Sequence, residues 1–128
     1  MEIGIEHIAI FAKDTKKLTD WYKNLFDCKT VYENGKGTYF LAFSDKSMIE
    51  FCTCEEHNIS AELSAPGIRH IALSVNEEDF KVLEEKIKNS ETEILKPAQI
   101  NDKGVGTMFF RDIEGNILHL MLRKTPLI

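Results

Sequence analysis

Cysteine is scarce and odd in number, with three in 128 residues. Cys28, Cys52 and Cys54 cannot all pair within the chain, which excludes a disulfide scaffold and suits reduced thiols in a cytoplasm. No apolar run approaches the ~18 residues of a membrane helix. The N-terminus lacks the charged-then-apolar order of a secretory signal. Membrane insertion is therefore not expected. Basic clusters are missing as well: 16 Lys and Arg stand against 21 Asp and Glu, for a net charge of −5. Nucleic acid is not an expected partner of such a chain. Low-complexity tracts and long charge blocks are absent too. What remains is 43% hydrophobic and 29% charged residues, the balance of a soluble globular domain large enough to bury a core.

What is present is a duplication. Ile5-Glu6-His7-Ile8-Ala9-Ile10 matches Ile68-Arg69-His70-Ile71-Ala72-Leu73, and Thr38-Tyr39-Phe40-Leu41 matches Thr107-Met108-Phe109-Phe110. Continuing without a gap, Met48-Ile49-Glu50-Phe51 falls on Ile117-Leu118-His119-Leu120. One domain of two similar modules, near 1–60 and 67–128, is the expectation.

Each module reads β-α-β-β-β. Residues 3–11 alternate as a strand. Asp14 or Thr15 caps a helix whose Leu18, Trp21, Tyr22 and Leu25 form an apolar stripe. Asn34-Gly35-Lys36-Gly37 marks a turn, and strands at 38–43 and 47–53 join through Ser44-Asp45-Lys46. In the second module a strand at 68–75 precedes a helix capped by Asn76 and carrying Phe80, Leu83 and Ile87. Lys96-Pro97 then breaks the pattern. Strands at 105–111 and 117–123 flank Asp112-Ile113-Glu114-Gly115-Asn116, where Gly and Asn are expected to take positive φ. The first of the three consecutive strands falls near 29–33 and 91–95. Residues 53–67 form the linker.

Side-chain phase singles out four residues. His7 lies opposite Ile8 and Ile10, and Glu50 opposite Ile49 and Phe51. His70 lies opposite Ile71 and Leu73, and His119 opposite Leu118 and Leu120. Each strand thus keeps an apolar face for packing under a helix and turns its titratable residue the other way. A single histidine in an apolar strand is more often a hydrogen-bonded core or surface residue than a ligand. Four in matching phase at repeated positions instead suggest donors within about 2 Å of one shared ion. The alternative is a metal-free hydrogen-bond network, but three neighbouring imidazoles repel once any is protonated, which a cation resolves.

Two other features carry less. Cys52-Thr53-Cys54 is one residue short of the zinc Cys-x-x-Cys spacing and has no partner pair, although Cys52 shares a face with Glu50. His57 sits among Glu55, Glu56 and Asn58 and reads as solvated.

These residues resemble the vicinal oxygen chelate superfamily, which includes glyoxalase I, fosfomycin and bleomycin resistance proteins, methylmalonyl-CoA epimerase and extradiol dioxygenases. The most specific likeness is in the two His-containing strands and in Gly106–Leu120, similar to the family's closing Asp-Pro-x-Gly-Asn turn and strand with Ile113 at the proline. The resemblance implies an α+β fold in which paired βαβββ modules form an open eight-stranded barrel flanked by helices. It implies metal ligands at His7, Glu50, His70 and His119, and a homodimer. His119 stands where glutamate is usual. Three neutral imidazoles and one carboxylate leave a divalent ion with a net charge of about +1, which favours anionic ligands.

The function expected is a metal-dependent, glyoxalase-like enzyme. Lyase, isomerase or epimerase chemistry would pass through an enediolate or enolate of a small oxygenated substrate, with Glu50 the one carboxylate available as base. One divalent ion per site is expected, with Zn, Ni, Co, Fe and Mn all compatible. The alternatives are a non-heme dioxygenase, a fosfomycin-type thiol transferase, and a non-catalytic small-molecule binding or resistance protein.

Overall fold

Alternation of Ile8 and Ile10 with His7, Ala9 and Phe11 produces strand β1 (His7–Ala12). In the computed structural model, which describes residues 1–2, 5–54, 68 and 70–127, β1 opens the first of two units, Met1–Ser60 and Ala61–Ile128. Helix α1 (Thr15–Phe26) follows, and Asp14 caps it by accepting the Lys17 amide at 3.0 Å, which satisfies one free N–H of the first turn. Strands β2 (Lys29–Glu33), β3 (Tyr39–Ala42) and β4 (Met48–Thr53) complete a sheet ordered β1-β4-β3-β2. β1 and β4 run parallel, while β2, β3 and β4 pair antiparallel. The helix packs on β3 and β4. Leu18, Tyr22 and Leu25 are buried on its inner side, and Leu41, Ile49 and Phe51 on the sheet. Tyr22 and Phe51 meet at 4.9 Å between ring centroids.

The second unit repeats the order. It contains β5 (Ile71–Ser74), α2 (Glu77–Lys88), β6 (Ile94–Ile100), β7 (Val105–Arg111) and β8 (Ile117–Arg123), in a sheet ordered β5-β8-β7-β6. Asn76 caps α2 by accepting the Asp79 amide at 2.7 Å. Glu77, Glu78 and Asp79 fill the first turn and Lys86 and Lys88 the last, each sign where the helix dipole favours it. Phe80, Ile87, Met108, Phe110, Leu118, Leu120 and Leu122 form the buried apolar set. The α+β class and the two βαβββ units are as the sequence leads one to expect.

Two local expectations need correction. Lys96-Pro97 does not break the chain out of the sheet, because β6 runs through it. β6 is an edge strand whose register shifts between Lys96 and Gln99. Proline has no N–H to give a ladder, so an edge with an irregular register is where a strand tolerates it. In the turn between β7 and β8, Gly115 takes φ 91° but Asn116 does not share the left-handed region. Asn116 instead anchors the buried Asp112, donating from its backbone N at 3.0 Å and its Nδ2 at 2.8 Å. The Glu114 amide adds a third bond to the same carboxylate at 2.9 Å.

The turn between β2 and β3 works in the expected way. Asn34 Oδ1 accepts from the amides of Lys36 at 2.8 Å and Thr38 at 3.1 Å. Gly35 and Gly37 adopt φ 73° and 93°. A Cβ at Gly37 would collide with Thr53 Oγ1 on β4, whereas one at Gly35 would meet nothing. Left-handed backbone costs a residue with a Cβ about 1–2 kcal/mol. Gly35→Ala should therefore lose about that much stability in urea denaturation, and Gly37→Ala measurably more. Equal losses would show that the Thr53 contact is unimportant.

Candidate functional site

In the first unit the register places a row across the sheet. Ala9 of β1 lies beside Glu50 of β4, which lies beside Phe40 of β3. The second unit builds the same row with Ala72 of β5, His119 of β8 and Phe109 of β7. Neighbouring residues across a ladder project to one face, so the titratable groups stand away from the sheet side that packs under each helix.

The structure brings His7 and Glu50 together. His7 Nε2 lies 3.4 Å from Glu50 Oε2, with the two side chains 34% and 20% exposed. At its other nitrogen, Nδ1, His7 meets Glu6 Oε1 at 3.0 Å. The edge of its ring faces Phe40, 5.1 Å between centroids. His70 and His119 are likewise brought together, with ring centroids 4.4 Å apart and planes at 73°. His119, only 4% exposed, stacks on Phe109 at 4.4 Å and 10°. His70 stands edge-on to the same Phe109 at 5.9 Å. Its Nδ1 is buried and has no hydrogen-bond partner among the described residues. Such an atom costs about 1–3 kcal/mol if nothing meets it. Among the described residues no three His, Cys, Asp or Glu side chains gather as a metal-holding group; His7 and Glu50 form one pair and His70 and His119 another. His57 lies outside the described residues.

The pair in the first unit fits a cation. A carboxylate only accepts, so Glu6 requires the hydrogen of a neutral His7 to sit on Nδ1. That leaves a lone pair on Nε2 directed at the Glu50 carboxylate. Two acceptors 3.4 Å apart repel unless a positive charge lies between them. Donors about 2.1 Å from one tetrahedral ion are themselves about 3.4 Å apart, so a divalent metal satisfies both.

Cysteine chemistry is subdued. All three cysteines are free thiols. Burial and then the Asp27 charge push Cys28 up to about 12. Cys52 lies on the Glu50 face, as the strand phase indicates. Partial burial first, then its hydrogen bond to Glu50, holds its thiol above the ordinary range. Neither is an activated nucleophile.

Glu6, Phe40, Phe109 and Lys96 escaped the sequence reading. Lys96 Nζ lies 5.4 Å from the Phe109 ring centroid. Phe40 and Phe109 had a usable signal, since they occupy one position of the repeat. Lys96 was hidden by the proline beside it.

The family model of the glyoxalase/bleomycin resistance protein/dioxygenase superfamily matches residues 4–120. The chain belongs to this superfamily. Among curated relatives of this superfamily member, fosfomycin resistance protein FosX of Listeria innocua is 27% identical over 121 residues, 91% of this chain and 87% of that protein. The glyoxylase/bleomycin resistance protein/dioxygenase domain from Frankia sp. EAN1pec is similar in fold. Its TM-score is 0.83 at 20% identity, over 97% of this chain and 94% of that one. A point mutant of FosX from Listeria monocytogenes, complexed with Mn(II) and 1S,2S-dihydroxypropylphosphonic acid, has a TM-score of 0.74. It is 24% identical over 94% of this chain and 90% of that one. Among the described residues no helix is long and apolar enough to cross a membrane.

Proposed function

We propose that His7, Glu50, His70 and His119 hold one divalent metal ion in common, and that the protein is a metal-dependent enzyme acting on a small oxygenated substrate. The donors come from one two-module domain spanning residues 1–128 or from two copies in a homodimer. The observation that carries this reading is the 3.4 Å separation of His7 Nε2 and Glu50 Oε2, with the other His7 nitrogen committed to Glu6. The nearness of two further imidazoles in the second unit adds to it. Zn, Ni, Co, Fe and Mn all accept three imidazole nitrogens and a carboxylate. The free thiols suit a cytoplasmic setting.

When bound, the ion supplies Lewis acidity toward a substrate oxygen. The remaining work falls to the chain. Glu50 is the carboxylate of the set, and so the group to take and return a proton at a carbon next to a carbonyl. That is lyase, isomerase or epimerase chemistry of the glyoxalase kind. Phe40 and Phe109 stand across from Glu50 and His119 and keep water from that side of the donors. Lys96, above Phe109, offers a cation to an anionic substrate group.

A second reading, modification of fosfomycin, is favoured by the likeness to FosX. One experiment separates the two. Purified protein is assayed for metal by elemental analysis and then offered α-ketoaldehyde–thiol adducts, 2-oxo acids and fosfomycin. About one metal per chain and turnover of a carbonyl substrate are expected. Consumption of fosfomycin alone selects the second reading, and protein that takes up no metal ends both.

A further inference from the structure

The duplication is imperfect at the position before each paired histidine: Glu6 precedes His7, whereas Arg69 precedes His70. The difference has a structural outcome in the first unit. Glu6 Oε1 lies 3.0 Å from His7 Nδ1, and the opposite ring nitrogen faces Glu50 at 3.4 Å. Glu6, His7 and Glu50 therefore form a carboxylate–imidazole–carboxylate line.

From this geometry we infer that Glu6 is a positioning residue, which fixes the His7 tautomer and ring orientation so that the Nε2 lone pair is presented beside Glu50. The inference rests on the metal-binding reading above and adds a residue to it. A ligating imidazole needs its lone pair at the nitrogen facing the ion, and a free histidine distributes its hydrogen between both nitrogens. Both carboxylates accept and cannot donate, but Glu6 stands at 3.0 Å from Nδ1 and Glu50 at 3.4 Å from Nε2, so the closer Glu6 selects the Nδ1–H form. The contact with Phe40, at 5.1 Å and 68°, limits rotation of the same ring. Orientation is thus held by a hydrogen bond on one edge and an aromatic face on another. Partners of this kind commonly carry 10–100-fold in metal affinity. Glu6 is 74% exposed, so solvent competes and the lower end applies.

The test measures Zn(II) dissociation constants by chelator competition for the wild-type chain, Glu6→Ala and Glu6→Gln. Nitrogen-15 NMR of the His7 ring in the metal-free proteins at about pH 8, above the ordinary imidazole range, accompanies it. Glu6→Ala should weaken Zn(II) about tenfold and move the ring hydrogen partly to Nε2. Glu6→Gln, whose amide can accept from Nδ1–H or donate to a bare Nδ1, should stay within about threefold of wild type in affinity while mixing the two tautomers in the metal-free protein. Unchanged affinity and tautomer in Glu6→Ala would overturn the positioning role while leaving the metal reading standing. Glu6→Gln as weak as Glu6→Ala would assign the effect to charge and overturn it equally. A wild-type chain that binds no Zn(II) overturns both.

Discussion

His70→Ala is expected to lose at least about 100-fold in metal affinity. Outer partners of metal ligands already carry 10–100-fold, and a ligand carries more. The His70 ring touches His119 and Phe109 through edges, while the His119–Phe109 stack at 4.4 Å does not need it. Metal-free His70→Ala should therefore keep its fold, with the loss confined to metal-loaded protein. Elemental analysis after dialysis against a weak chelator reads this directly, and full metal content in the variant would remove His70 from the donor set.

His119→Glu gives the complementary result. The substitution exchanges nitrogen for a harder oxygen and lowers the formal charge of the loaded site from about +1 to about 0. Preference for Zn(II) over Mn(II) should fall about tenfold or more in competition titrations. The same change places a carboxylate where a 4%-exposed ring now stacks on Phe109. Metal-free His119→Glu should therefore be less stable than wild type, and excess metal should restore it by mass action. An unchanged metal preference would exclude His119 from coordination.

Phe51→Ala carries the other large expected effect, on stability. Phe51 is 0% exposed on β4, with its ring 4.9 Å from that of Tyr22 on α1. Truncating a buried phenylalanine removes its transfer free energy and leaves a cavity, together about 3–5 kcal/mol. A single domain has about 5–15 kcal/mol in all, so this one change should remove a large share of the stability of its unit. Glu50 precedes Phe51 on the same strand but projects to the opposite face. Urea denaturation should accordingly show a lower midpoint with little change of slope. A loss under about 1 kcal/mol would mean that α1 and β4 repack around the gap.

The helices were legible because their caps and stripes are local. Asn76 caps its helix as expected, and of Asp14 and Thr15 it is Asp14 that caps the first, since an Asx side chain reaches only two or three residues ahead. Strands at 105–111 and 117–123 fall where the alternation places them. Pro97 was misleading because a proline excludes a central strand but not an edge, and edge position depends on which strands pair. Asn116 was misleading for a related reason. Its residue type suits positive φ, but hydrogen bonds to the buried Asp112 were worth more.

By itself the sequence determined which residues share a sheet face. A strand repeats every two residues, so a duplicated pattern sends His7, Glu50, His70 and His119 away from the helix side in both units. Only the tertiary structure decided what each of these groups touches. Ala9 comes from a strand far along the chain from Glu50 and Phe40, and Ala72 from one far from His119 and Phe109, and register across a ladder is not written in any one segment. The stacking of His119 on Phe109 and the approach of Glu50 to His7 follow from that register, together with rotamers fixed by packing. The contact of Glu6 with His7 is between chain neighbours, yet the same ring also meets Phe40 and Glu50, so its full set of partners waited on the fold.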